Sequence, residues 1–115
     1  MALFTYIDGI PLKDMTHSAL LNAMKEHVFF QFMQSGRSGF ENGAADVVTN
    51  ISEWYCQRGK AARGKKLNNE EFDEIKRFLV ITLVDRFMTH GVEGLKNAIF
   101  DGFTMIYDTL QHPAD

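Results

Sequence analysis

The sequence has 115 residues, 45% of them hydrophobic and 23% charged, with 12 Lys/Arg against 15 Asp/Glu and a formal charge of -3. A chain of this size and composition buries one core and is not disordered. The near balance of charge excludes a surface built throughout to coat nucleic acid or to mimic it.

The first 14 residues are the least helical. Leu3-Phe4-Thr5-Tyr6-Ile7 has the β-branched and aromatic character of an extended segment, Asp8-Gly9 is a turn signal, and Pro11 keeps Ile10 extended. One short strand is not stable alone, so this segment is expected on the helical body or paired with another copy. It has no basic stretch before an apolar block, which predicts no secretory leader.

A first helix is predicted from Thr16 as N-cap to about Gln34, with Leu20, Leu21, Met24, Val28 and Phe32 as its apolar stripe and Ser35-Gly36 as its stop. Ser38-Gly39-Phe40-Glu41 reads as a capping box opening a second helix over 39–57. Phe40, Ala44, Val47, Val48, Ile51, Trp54 and Tyr55 keep helical spacing. Asn42, Asp46, Thr49, Asn50, Glu53 and Gln57 fall opposite, which predicts a one-sided surface helix.

A third helix opens at Asn68-Asn69-Glu70-Glu71 with a second box-like cap and an acidic first turn. It is apolar nearly all round, through Phe78, Leu79, Val80, Ile81, Leu83, Val84, Phe87 and Met88. That predicts the most buried helix or a subunit interface. It stops at His90-Gly91. The fourth helix runs to about Gln111, with Leu95, Ala98, Ile99, Gly102, Phe103, Ile106 and Leu110 inward, and Gly102 implies close helix packing. The expected fold is therefore all-α: a single domain over 1–115, four-helix bundle-like, with a short extended N-terminal segment (1–14) and no internal repeat.

The connection over 58–67 is a basic crossover loop. Five of the nine residues Arg58-Gly59-Lys60-Ala61-Ala62-Arg63-Gly64-Lys65-Lys66 are cationic. Either the loop is a solvated, mobile crossover, or Arg58, Lys60, Arg63, Lys65 and Lys66 contact an anionic partner such as a nucleic acid or another phosphate-bearing ligand. If the loop binds an anionic partner, replacing all five cations with Ser should leave the fold nearly intact and strongly weaken that binding. Gly59, Gly64 and Lys65 match the glycine and lysine positions of a P-loop. Lys66 stands where Ser or Thr would bind Mg²⁺, and a helix rather than a strand precedes the loop, so NTPase chemistry is not expected.

No catalytic residues, metal ligands or cofactors are predicted. His17, His27, His90 and His112 are scattered, and Gly36-Arg37-Ser38-Gly39 falls short of a nucleophile elbow. His27 reads as a packed, hydrogen-bonded side chain. Asp101 and Asp108 share a helix face that reads as solvated. Cys56, the one cysteine, forms no internal disulfide and suits a reducing compartment. No apolar run reaches the ~18 residues of a membrane span. A soluble cytoplasmic location without membrane partners is the expectation.

Ten Phe and six Met exceed what one seam of a small bundle hides. Phe29, Phe30, Met33, Phe78, Ile81 and Phe87 are the candidates for a homo-oligomer interface.

The corner Phe87-Met88-Thr89-His90-Gly91-Val92-Glu93-Gly94-Leu95, with the helix after it to about Leu110, resembles small podovirus early proteins that antagonise the host nucleoid protein H-NS. The resemblance implies a small phage protein acting on a host macromolecule in the host cytoplasm. It supports the expected function: a non-enzymatic protein that binds and inhibits or modulates a host protein. The alternatives are a nucleic-acid-binding module that uses the basic loop, and a nucleotide-sequestering oligomer.

Overall fold

The computed structural model describes residues 2–112. Two short strands, β1 (Tyr6–Ile7) and β2 (Ile10–Pro11), precede a single 3₁₀ turn (Leu12–Asp14) and four helices: α1 (His17–Ser35), α2 (Arg37–Gln57), α3 (Asn69–His90) and α4 (Val92–Gln111). The strands pair antiparallel, Ile7 opposite Ile10, around Asp8 and Gly9. Both turn residues have positive φ, 52° and 78°. That is the primed two-residue turn an Asp-Gly dipeptide favours.

The helix ends follow local chemistry. Thr16 accepts from the Ala19 amide at 3.1 Å. Asn68 and Glu71 form a reciprocal capping box, the Glu71 amide donating to Asn68 Oδ1 at 2.8 Å and the Asn68 amide to Glu71 Oε1 at 3.0 Å. The box expected at Ser38 and Glu41 does not form. Ser38 lies inside the first turn of α2, which begins at Arg37, and its hydroxyl donates back to the Ser35 carbonyl.

Sequential helices are neighbours, α1 with α2 and α3 with α4. The two hairpins then meet through α1–α4 and α2–α3, with α2 and α4 touching across the middle. The short dimension of the molecule, 21 Å, corresponds to two layers of helices. The predicted inner face of α4 is buried throughout. A side-chain carbon added at Gly102 would lie 3.4 Å from Leu79, so this glycine marks the close approach of α3 and α4.

Burial across the layers differs from the sequence expectation. The most buried helix is α2, not α3: it hides Gly39, Phe40, a continuous run from Gly43 to Val48, Asn50, Ile51 and Trp54. Among α3 residues only Ile75, Leu79 and Leu83 are buried. Part of the expected solvent face of α2, Asp46 and Asn50, is covered by the chain's own start, while Asn42 and Gln57 stay exposed. The Ala2 amide donates to Asp46 Oδ1 at 2.8 Å and the Phe4 amide to Asn50 Oδ1 at 2.7 Å, while Asn50 Nδ2 donates to the Ala2 carbonyl at 2.8 Å. Two polar side chains thus do the work of a neighbouring strand. The 3₁₀ turn is pinned similarly, Trp54 Nε1 donating to the Met15 carbonyl at 3.0 Å.

The two helical hairpins turn on the same device. Gly36 and Gly91 close α1 and α3 at φ of 60° and 66°, where a side chain is strained. Three residues on, Gly39 and Gly94 each donate to that glycine's carbonyl at 3.0 Å. A side-chain carbon at Gly39 would overlap the Gln31 carbonyl, and one at Gly94 the Arg86 carbonyl.

Candidate functional surfaces

The basic crossover is held from within. Arg63 is its centre, with a side chain only 3% exposed. Its guanidinium donates to both carboxylate oxygens of Glu71 at 2.7 and 2.8 Å, and to the Lys65, Lys66 and His112 carbonyls at 3.0, 2.8 and 3.2 Å. Hydrogen bonding to Arg63 holds the Glu71 carboxyl below its usual range, and Glu71 in turn raises the Arg63 value.

Around this pair, Gln111 Nε2 donates to the Lys60 carbonyl at 2.6 Å, and Gln111 Oε1 accepts from the Ala62 amide at 3.1 Å. The amides of Arg58, Gly59, Lys60, Arg63 and Gly64 are likewise spent on Trp54, Cys56, Tyr55, Leu110 and Ala61 carbonyls. A phosphate cradle needs such amides free and convergent.

Of the five candidate anion-binding cations, three have intramolecular work. Arg58 donates to the Lys13 and Met15 carbonyls and lies over the Trp54 ring at 5.0 Å. Lys66 pairs with Glu53 at 3.0 Å, which raises the Lys66 value and lowers that of Glu53. Lys60 and Lys65 are exposed and have no ion pair among the described residues. The structure thus shows the crossover held by a network of hydrogen bonds around Arg63. It also corrects the expectation that all five cations could be removed with little effect on folding. Burial pushes the Cys56 thiol up.

The six candidate interface residues divide. Phe29 and Phe87 pack against the core. Phe87 lies 4.8 Å from Phe32 and 5.7 Å from Phe40, closing one end of the bundle with aromatic rings. Phe30, Met33, Phe78 and Ile81 stay in solvent, Met33 and Ile81 with about two thirds of their surface (67% and 66%). Met88, at 80% exposed, and Phe100 join them; neither was singled out from the sequence as an interface residue.

A third feature was missed. A groove of about 400 Å³ runs between the N-terminal hairpin and α1, lined by Phe4, Tyr6, Ile7, Ala23, His27 and Phe30, with Asp8 and Glu26 among its polar groups. His27 is hydrogen-bonded, as expected: Nε2 donates to Asp46 Oδ2 at 2.7 Å, and the ring meets Phe4 edge-on at 5.0 Å. A carboxylate-held imidazole is part of a general base, but no hydroxyl or thiol bonds to His27 among the described residues. Asp46 uses both oxygens, one on His27 and one on the Ala2 amide, so the pair serves to fasten the N-terminal strap. The only sequence signal was the helical register of Asp46 and Asn50.

Asp101 pairs with Arg86 at 3.0 Å and Asp108 with His112 at 3.4 Å. Among the described residues no cluster of His, Cys, Asp and Glu is arranged to hold a metal, and no helix is long and apolar enough to cross a membrane.

The segment Phe87 to Leu95 is the α3–α4 corner, and its Gly91 and Gly94 are the residues that the corner geometry demands. Gly36 and Gly39 meet the same demand in the other hairpin, so those glycines belong to a way of turning two helices. No family model matches the chain, and no match emerges among curated proteins or solved structures.

Proposed function

We propose that this chain is a non-enzymatic interaction protein that self-associates and binds and modulates a host protein, as a small phage protein would. The observation that carries the reading is the apolar surface left in solvent on three helices: Phe30 and Met33 on α1, Phe78, Ile81 and Met88 on α3, and Phe100 on α4. Side chains of this size, grouped on outer faces, are characteristic of surfaces that other proteins cover. The nucleic-acid and nucleotide readings are weaker, because the fold itself engages Arg58, Arg63 and Lys66.

The test is site-specific photo-crosslinking in bacterial cells. A photoreactive residue at Met33 or Phe100 is expected to give one discrete adduct with a host protein, identified by mass spectrometry. The same residue at the exposed polar Asn97 is expected to give none. Absence of a discrete adduct from both apolar positions overturns the reading.

A further inference from the structure

The outer face of α3 is self-complementary about Ile81. Successive residues of a helix turn by about 100°, so Glu74, Arg77, Phe78, Ile81, Asp85 and Met88 fall within roughly a third of the circumference. All six are exposed. Ile81 stands at the centre, Arg77 four residues before it and Asp85 four residues after it. Neither Arg77 nor Asp85 has an ion pair among the described residues, whereas the adjacent Arg86 reaches Asp101 at 3.0 Å.

The geometry points to a second copy of this chain as what covers the face, through an antiparallel α3–α3 contact with its two-fold axis at Ile81. This deepens the proposed function and rests on its reading of the chain as self-associating. Under such a two-fold, each Arg77 stands level with Asp85 of the second copy. Each Met88 stands level with the methylenes of Glu74. Ile81 meets Ile81, flanked by the two Phe78 rings. A parallel pairing would set Asp85 against Asp85 and Arg77 against Arg77 in the same seam, so charge selects the antiparallel arrangement. The helix dipoles also oppose each other in it. An isologous contact of this kind closes on itself and leaves no open surface for a filament.

The experiment combines light scattering with cysteine crosslinking in a Cys56→Ser background. The chain is expected at twice 13.1 kDa in light scattering. Ile81→Cys is expected to oxidise to a covalent dimer. Met88→Cys alone is not, since its two copies would lie about 20 Å apart along the seam at 1.5 Å per residue. A mixture of Met88→Cys and Glu74→Cys chains is expected to join.

Arg77→Glu and Asp85→Arg are each expected to weaken self-association by about tenfold or more, and the two together to restore it. Circular dichroism checks that each variant folds. A monomer mass for the unaltered chain overturns the pairing, as does Met88→Cys joining to itself while Ile81→Cys does not. A folded double variant that stays monomeric overturns it too. None of these results bears on the host-protein adducts at Met33 and Phe100. Loss of those adducts with the α3 dimer intact would overturn the host-binding reading alone.

Discussion

Arg63 grips Glu71 through two parallel hydrogen bonds, 2.7 and 2.8 Å, and the same guanidinium reaches three backbone carbonyls. A residue that looks like one more cation of a basic loop is the pin of the crossover. Arg63→Ala is expected to cost about 2 to 3 kcal/mol in urea unfolding, below the ~3 to 5 kcal/mol of a fully buried pair, because Glu71 stays partly solvated. Lys60→Ser and Lys65→Ser are expected to leave the midpoint nearly unchanged.

The same pair sets the acid limb of stability. The Glu71 carboxyl lies below its ordinary value of 4.5 in the folded protein, chiefly because Arg63 hydrogen-bonds it. Its contribution is therefore complete above about pH 4.5 and is lost as pH falls through the lower folded value. Urea unfolding as a function of pH should show this loss, and Glu71→Gln should flatten it.

At the alkaline end, burial, with Tyr107 adding to it, pushes Tyr55 from 10.0 to about 12. A raised value in the folded state means stability that is complete below about pH 10 and is lost as pH rises toward 12. An absorbance titration of tyrosinate should find one ring with its midpoint near pH 12, and Tyr55→Phe should remove that step.

The corner glycines allow a steric test. Gly94→Ala would press a methyl group into the Arg86 carbonyl and Gly39→Ala into the Gln31 carbonyl, so backbone must move in either case. Each is expected to cost more than the ~1 kcal/mol that alanine would ordinarily gain at a helical glycine. Thermal unfolding should place both below Gly43→Ala, whose added carbon meets Val28 Cγ2 at 3.2 Å.

Asn50→Ala would leave the Phe4 amide and the Ala2 carbonyl without their partner on α2. The cost is expected at about 1 to 3 kcal/mol, the range for orphaned buried polar groups. Hydrogen exchange should localise it, with the Phe4 amide accelerating far more than amides in the middle of α4.

What the sequence made legible is what short-range chemistry decides. Thr16, the Asn68–Glu71 box, the Asp8-Gly9 turn and the inner face of α4 involve partners a few residues apart or a regular period. The burial of α2 escaped because Asp46 and Asn50 look like surface residues until partners 44 to 48 residues away cover them. Arg63 escaped for another reason: four of its five bonds reach Lys65, Lys66 and Glu71 within eight residues, but across an irregular loop that has no period to read, and only the His112 contact spans 49. The paired Gly-x-x-Gly corners were in plain view at 36–39 and 91–94. Their meaning depends on a carbonyl eight residues earlier, which a reading for helix stops does not consult.

The two like corners also bear on how the chain reaches its fold. Each closes a hairpin from helices adjacent in sequence, so loop closure costs little entropy and most of each hairpin assembles locally. The contacts that lock the hairpins together, Arg63 to His112 and Gln111 to the Lys60 carbonyl, need the far end of α4 to have returned. Contacts that wait for that return are expected to act on the rate of leaving the native state rather than of reaching it. The basic crossover is thus expected to work as a kinetic latch, with Arg63→Ala speeding unfolding more than it slows folding.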